Sequence, residues 1–201
     1  MRVLGVDPGL TRCGVAVVEG RRSPLLRHVG VIRTEAELDV PRRLVQIERE
    51  LITLIEHWLP DVVAIERVFS HNNRNTAIPT AQAAGAAMLV AARRDIPVAQ
   101  HTPSEVKAAI TGSGRADKAQ VGRMVQRVLG LDVIPEPADA ADAAALAVCQ
   151  LWRGGTSNAI TEAVSRTQRE RPELARAAEL AQRQRKALAA AQRRHQQGGS
   201  R

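Results

Sequence analysis

Two Val-rich runs joined by Asp-Pro-Gly, in MRVLGVDPGLTRCGVAVVEG, constrain this chain more than any other stretch. Asp caps the turn, Pro presets φ and Gly supplies a positive φ, so the two runs read as consecutive antiparallel strands. A third run, LLRHVGVIRT, follows the polar GRRSP segment and extends the pair to a meander. From Pro41 the period changes. Leu44, Ile47, Leu51, Leu54 or Ile55, and Trp58 recur at helical spacing, and Pro60 stops the helix. DVVAIERVF then reads as a buried strand, parallel to the first because a helix crosses over between them.

TAQAAGAAMLVAARR is a small-residue helix whose Ala and Gly face around Gly85 admits a close neighbour, and IPVAQHTP is a fifth strand. A short helix from Ser104, a loop at GSGRAD, the helix KAQVGRMVQRVLG closed by Gly130, and the Ala-rich helix ADAADAAALAVCQLW follow. These elements predict a mixed α/β fold. Its five-stranded sheet is antiparallel in the first half and parallel in the second, with helices flanking it.

At 201 residues and 44% hydrophobic, the chain buries one core and carries an extension rather than a second full domain. Tyr is absent, Phe occurs once and Trp twice, so that core is built from Ala, Val, Leu and Ile. The net charge of +8 favours an anionic partner, most often nucleic acid. That charge is unevenly placed: residues 152–201 hold 11 Lys and Arg against 4 Asp and Glu, whereas the rest of the chain holds 18 against 17. The predicted division is a folded domain over residues 1–155 and a basic tail over 156–201, disordered or conditionally helical.

Cys13 and Cys149 lie far apart with no C-x-x-C spacing, which argues against a disulfide framework or a zinc site and for reduced thiols packed as small hydrophobes. No signal-peptide pattern opens the chain, and no apolar run reaches the ~20 residues a membrane span needs. A cytoplasmic location is the expectation.

Four carboxylates interrupt apolar surroundings. Asp7 ends the first strand, Glu66 stands within the fourth, and Asp139 and Asp142 open the last helix. If strands one and four are neighbours, Asp7 and Glu66 come side by side. Asp139 and Asp142, at i and i+3, share a helix face near its N-terminus, where they read either as a capping pair or as part of a site. Capping does not account for Glu66.

Buried carboxylates are tolerated when paired or when they coordinate metal. A set without Cys or His ligands suits Mg²⁺ or Mn²⁺ rather than zinc. Two such ions, roughly 3.5–4 Å apart, would activate water and stabilise the leaving oxygen in a phosphodiester displacement.

GVDPG, AIERVF with its polar loop, SEVK, GSGRADK and PADAADAAALA, in this order, resemble the RuvC family of crossover junction endodeoxyribonucleases over about residues 1–151. The resemblance implies a ribonuclease H-like fold. It implies a nuclease that resolves Holliday junctions in DNA recombination and repair, by symmetric hydrolysis with two Mg²⁺ per site and Mn²⁺ as a substitute. The implied partners are four-way junction DNA, a second copy of the chain in a homodimer, and the branch-migration complex RuvA–RuvB.

Residue by residue, the resemblance makes Asp7, Glu66, Asp139 and Asp142 the catalytic metal-binding acids. It makes Lys107 and Lys118 basic groups beside the scissile phosphate, and Phe69 a ring that engages junction bases. Arg74, in the loop after Phe69, is a further candidate DNA contact, and Arg115 and Arg123 either touch phosphates or are solvated. His71 and His101 lack a nucleophile partner and read as surface or hydrogen-bonding residues. The helix from Thr76 to Arg94 is a candidate dimer interface, with tight packing inside one chain as the competing use.

Three rival functions stay open on sequence. They are a ribonuclease H-like nuclease acting on RNA or RNA–DNA hybrid, a non-catalytic junction-binding module, and an actin-like ATPase, for which the chain is too short to form two lobes.

Overall fold

The computed structural model describes residues 1–20, 22–68 and 74–169. The chain divides into two compact units, Met1–Ser157 and Asn158–Arg201. Of the second unit only residues 158–169 are described, and they are helical.

Strands β1 (Arg2–Asp7), β2 (Arg12–Glu19) and β3 (Leu25–Arg33) form the expected antiparallel meander. Helix α1 (Val40–Trp58) then crosses to β4 (Val62–Glu66), which pairs parallel with β1. Helix α2 (Arg74–Ala92) leads to β5 (Val98–His101), parallel with β4. The spatial order is β3-β2-β1-β4-β5, so β1 is central and lies between β2 and β4. Three helices follow: α3 (Pro103–Thr111), α4 (Lys118–Leu129) and α5 (Ala138–Arg169).

The two-residue period of a strand sorts the sheet's side chains onto two faces. Leu4, Val6, Val15, Val17, Val63 and Ile65 pack against Ile47, Leu51 and Ile55 of α1 and against the Ala83, Ala84, Ala87 and Val90 face of α2. The opposite face is built from smaller residues: Val3, Ala16, Val18, Val62 and Ala64 meet α3, α4 and the Ala-rich α5.

Two glycines on that second face set how closely α5 approaches. A Cβ at Gly5 would lie 2.2 Å from the Ala143 carbonyl oxygen, and one at Gly14 would lie 2.0 Å from that of Asp139. With glycine at both places, the helix backbone rests directly on β1 and β2.

Local signals explain the helix ends. Asp39 caps α1 by accepting from the Arg42 amide, and Leu59 closes the helix in the left-handed region at φ 46° just before Pro60. Thr102 with Glu105, and Asp117 with Gln120, form reciprocal capping boxes at the starts of α3 and α4.

Several expectations are corrected. Strand β4 stops at Glu66 rather than running on to Phe69, and Phe69 lies outside the described residues. Helix α2 starts at Arg74, with Pro79 inside it. Pro79 is the sixth residue of the helix, past the four unpartnered N–H groups of its start, so it removes one intrahelical hydrogen bond to the first turn. Among the described residues no heavy atom comes within 4 Å of a Cβ built at Gly85, so no described helix packs on it.

Helix α5 passes Gly154 and Gly155, where the folded domain was expected to end. Each glycine costs a helix about 1 kcal/mol relative to Ala without breaking its hydrogen-bond ladder. The tail expectation for residues 170–201 lies outside the described residues. No described helix is long and apolar enough to cross a membrane.

Candidate active site

The strand period that places Val3 and Gly5 on the α5 face of the sheet places Asp7 there too, and Val62 and Ala64 carry Glu66 to the same face. Val6 pairs with Ile65, so Asp7 and Glu66 end adjacent parallel strands side by side. Asp139, in the first turn of α5, lies over Gly14, which is the residue paired with Asp7 across β1 and β2. Asp142 follows one turn later on the same helix.

The result is a cavity of about 280 Å³ lined by Asp7, Glu66, Asp139 and Asp142 together with Lys107 of α3 and Lys118 of α4. Sequence segments more than 130 residues apart meet there. The capping alternative for the aspartate pair does not describe them: Asp139 accepts a hydrogen bond from Arg12 Nε at 2.6 Å, and Asp142 accepts one from Lys118 Nζ at 3.1 Å.

Four carboxylates outnumber the two lysines that line the cavity with them. Burial, then the negative charges of Glu66, Asp142 and Asp139, pushes the Asp7 carboxyl up to about 8. Burial and the Asp142 charge push Glu66 upward as well, against Lys118 and Lys107. Lys118 is held above the ordinary lysine value by its hydrogen bond to Asp142 and by that residue's charge.

Asp7 is ionised above about 4 in the unfolded chain but resists ionisation in the folded one until about 8. The metal-free protein should therefore lose stability as pH rises through that window, with Glu66 contributing in the same direction. Glu19 and Glu105, whose values are lowered, act oppositely and only at more acidic pH. Melting temperatures in chelator at pH 5 and pH 8 check this; a flat or rising trend would contradict it.

A hard divalent cation fits this donor set, because the four carboxylates offer oxygen ligands and no sulfur or imidazole nitrogen. The four acids share one cavity, but among the described residues no three Asp, Glu, His or Cys side chains are placed to hold a metal ion as they stand.

Residues 3–150 match the sequence model of the family described as "Crossover junction endodeoxyribonuclease RuvC". The chain belongs to the RuvC family. A RuvC from Cutibacterium acnes is 61% identical over 172 residues, covering 85% of this chain and 88% of that protein. A RuvC from Thermobifida fusca is 55% identical over 183 residues, covering 90% and 97%. The solved T. thermophilus RuvC in complex with Holliday junction substrate matches with a TM-score of 0.73 at 31% identity, covering 77% of this chain and 94% of that one. The yeast mitochondrial Holliday junction resolvase Ydc2, at 16% identity and TM-score 0.50, shares the fold. The mixed five-stranded sheet with its flanking helices is thus the RuvC fold, of the ribonuclease H-like class, as the sequence predicted.

Of the residues singled out from sequence, the structure brings six into one cavity: the four acids, Lys107 and Lys118. Phe69 and His71 lie outside the described residues, as does the side chain of Arg74, the first residue of α2. His101 is buried rather than on the surface, and its Nε2 is hydrogen-bonded at 2.7 Å to Oε1 of Gln150, tying β5 to α5. Cys13 and Cys149 are free and buried, and burial raises their thiols to about 12 and about 11. Arg12 was not singled out. The signal that finds it is position: it lies two residues before Gly14, on the strand face that α5 covers.

Proposed function

We propose that this chain resolves Holliday junctions as a divalent-cation-dependent endonuclease, with Mg²⁺ as the physiological ion and Mn²⁺ as a substitute. The observation that carries the reading is the single cavity in which Asp7, Glu66, Asp139 and Asp142 meet Lys107 and Lys118, in a chain of the RuvC family.

The four carboxylates would hold the cations, which when bound supply a polarised water and neutralise charge at the phosphate. Asp7, fixed at the end of the central strand, anchors the set, and Glu66 faces it from β4. Lys107 orients the scissile phosphate from α3. Lys118, mostly exposed and paired with Asp142, exchanges that carboxylate for a phosphate oxygen as DNA enters. In this reading Phe69 stacks on junction bases and Arg74 contacts the backbone, placing both on the segment that follows Glu66.

Paired nicks in a two-fold junction call for two sites, hence a homodimer. Helix α2 carries an exposed stripe, Ile78, Ala81, Gly85 and Leu89, at helical spacing and facing away from the core. We assign the two-fold interface to that stripe, with the branch-migration complex RuvA–RuvB as a further partner and the cytoplasm as the place of action. Leu89→Glu should raise the dimer dissociation constant by about 30-fold, the loss typical of a central interface residue. Light scattering across a dilution series checks it, and a variant as dimeric as the wild type would overturn the assignment.

The substrate reading is tested by comparing a four-way junction, a linear duplex and an RNA–DNA hybrid in Mg²⁺. Cleavage confined to the junction is expected, whereas preferred cutting of the hybrid would move the activity to another ribonuclease H-like class.

A further inference from the structure

Two of the four acids are already engaged by cations of the chain itself. Arg12 Nε lies 2.6 Å from Asp139 Oδ2, and Lys118 Nζ lies 3.1 Å from Asp142 Oδ2. Asp7 has no ion pair of this kind among the described residues, and its carboxyl is the one most disfavoured as an anion.

The placement of Arg12 is built rather than incidental. Residues i and i+2 of a strand share a face, so Arg12 stands on the same side of β2 as Gly14, whose missing Cβ lets the Asp139 backbone rest on the strand. The turn that leads into Arg12 is braced from α1. Arg43 Nη2 donates to Thr11 Oγ1 at 2.6 Å, and Arg43 Nε donates to Thr34 Oγ1 at 2.8 Å. Thr34, itself buried, donates its hydroxyl to the Leu10 carbonyl at 2.6 Å and its amide to the Thr11 carbonyl at 3.2 Å. A braced turn delivering a guanidinium onto a named carboxylate is a positioning device for that carboxylate.

We propose that Arg12 is a resident counter-ion for Asp139, which it holds while the cavity lacks a divalent cation and releases when one enters. Arg12 thereby lowers cation affinity and keeps the acids open in the free enzyme. The inference rests on the cation-binding reading above. In the free chain one oxygen of each of these two carboxylates is already taken, Asp139 by Arg12 and Asp142 by Lys118. An arginine is suited to the task because its charge cannot be titrated away near neutral pH. The pair is also exposed enough, at 41% and 31% for the two side chains, for exchange to be modest in cost.

The test uses the full chain and Mn²⁺ alone, followed by titration calorimetry without DNA. Arg12→Gln should bind Mn²⁺ about fivefold more tightly than the wild type, because a competing partially exposed ion pair and a positive charge are both removed. Arg12→Lys, which keeps the charge, should stay within about twofold of the wild type. Melting of the metal-free proteins, measured alongside, should place Arg12→Gln below the wild type, since Asp139 then loses its hydrogen-bonded counter-ion. Arg12→Gln binding no more tightly than wild type, whether or not its melting falls, overturns the counter-ion role while leaving cation binding itself intact. A wild type that binds no Mn²⁺ overturns both.

Discussion

Asp7→Asn should cut four-way junction cleavage by about 10³-fold or more while making the metal-free protein more stable. The two effects have one cause. Asp7 ends the central strand among three other carboxylates, and burial with those charges raises its carboxyl to about 8. A group so disfavoured as an anion is a cost to the fold and a gain only when a cation arrives. Removing its charge should raise the melting temperature at pH 8 in chelator by about 5 °C, and should flatten the pH dependence described above. Junction binding should survive, because Lys107 and Lys118 remain. Asp7→Asn with wild-type cleavage would remove Asp7 from the reaction. Lost cleavage together with lowered stability would instead mark it as a structural residue.

Gly14→Ala is expected to act on fold and site together. A methyl group there would lie 2.0 Å from the Asp139 carbonyl oxygen, and no side-chain rotation relieves the clash because the Cβ is fixed by the strand backbone and the oxygen belongs to the helix backbone. α5 must move off β2, at a cost of about 3 kcal/mol in unfolding free energy. Asp139 and Asp142 would move with it, and displacements near 1 Å at a reacting centre cost rate by about 10²-fold. Gly30→Ala in the neighbouring strand is the control, since a Cβ there meets only the His28 ring at 3.5 Å. Denaturant unfolding and junction cleavage of the two variants should separate widely. Equal behaviour would mean that α5 does not rest on β2 as described.

The meander, the crossover to β4 and the capped helices were legible in the sequence because each has a short-range cause: Asp-Pro-Gly at residues 7–9, the apolar period from Leu44 to Trp58, and Thr102 or Asp117 at helix starts. The four acids could be found because carboxylates in apolar runs are conspicuous, and the order of the motifs fixed which ones belong together. Two features depend on tertiary distance and have weaker sequence traces. Gly5, Gly14, Ala16 and Ala64 alternate with larger residues along their strands, which marks a face pressed close by a helix, but only the approach of α5 shows how close. Arg12 looks like an ordinary polar strand residue until Gly14 brings Asp139 over it. His101 likewise offers no pattern of its own. Its burial comes from β5 lying beside β4, with Gln150 of α5 as its partner.

The central claim is that these carboxylates make the cavity a cation-dependent junction nuclease, and strand-resolved nick mapping on a synthetic four-way junction tests it most directly. With Mg²⁺, the wild-type protein should place symmetric nicks in two opposed strands, leaving 5′-phosphate and 3′-hydroxyl ends, and a chelator should abolish them. Nicking that persists undiminished in chelator would contradict the account.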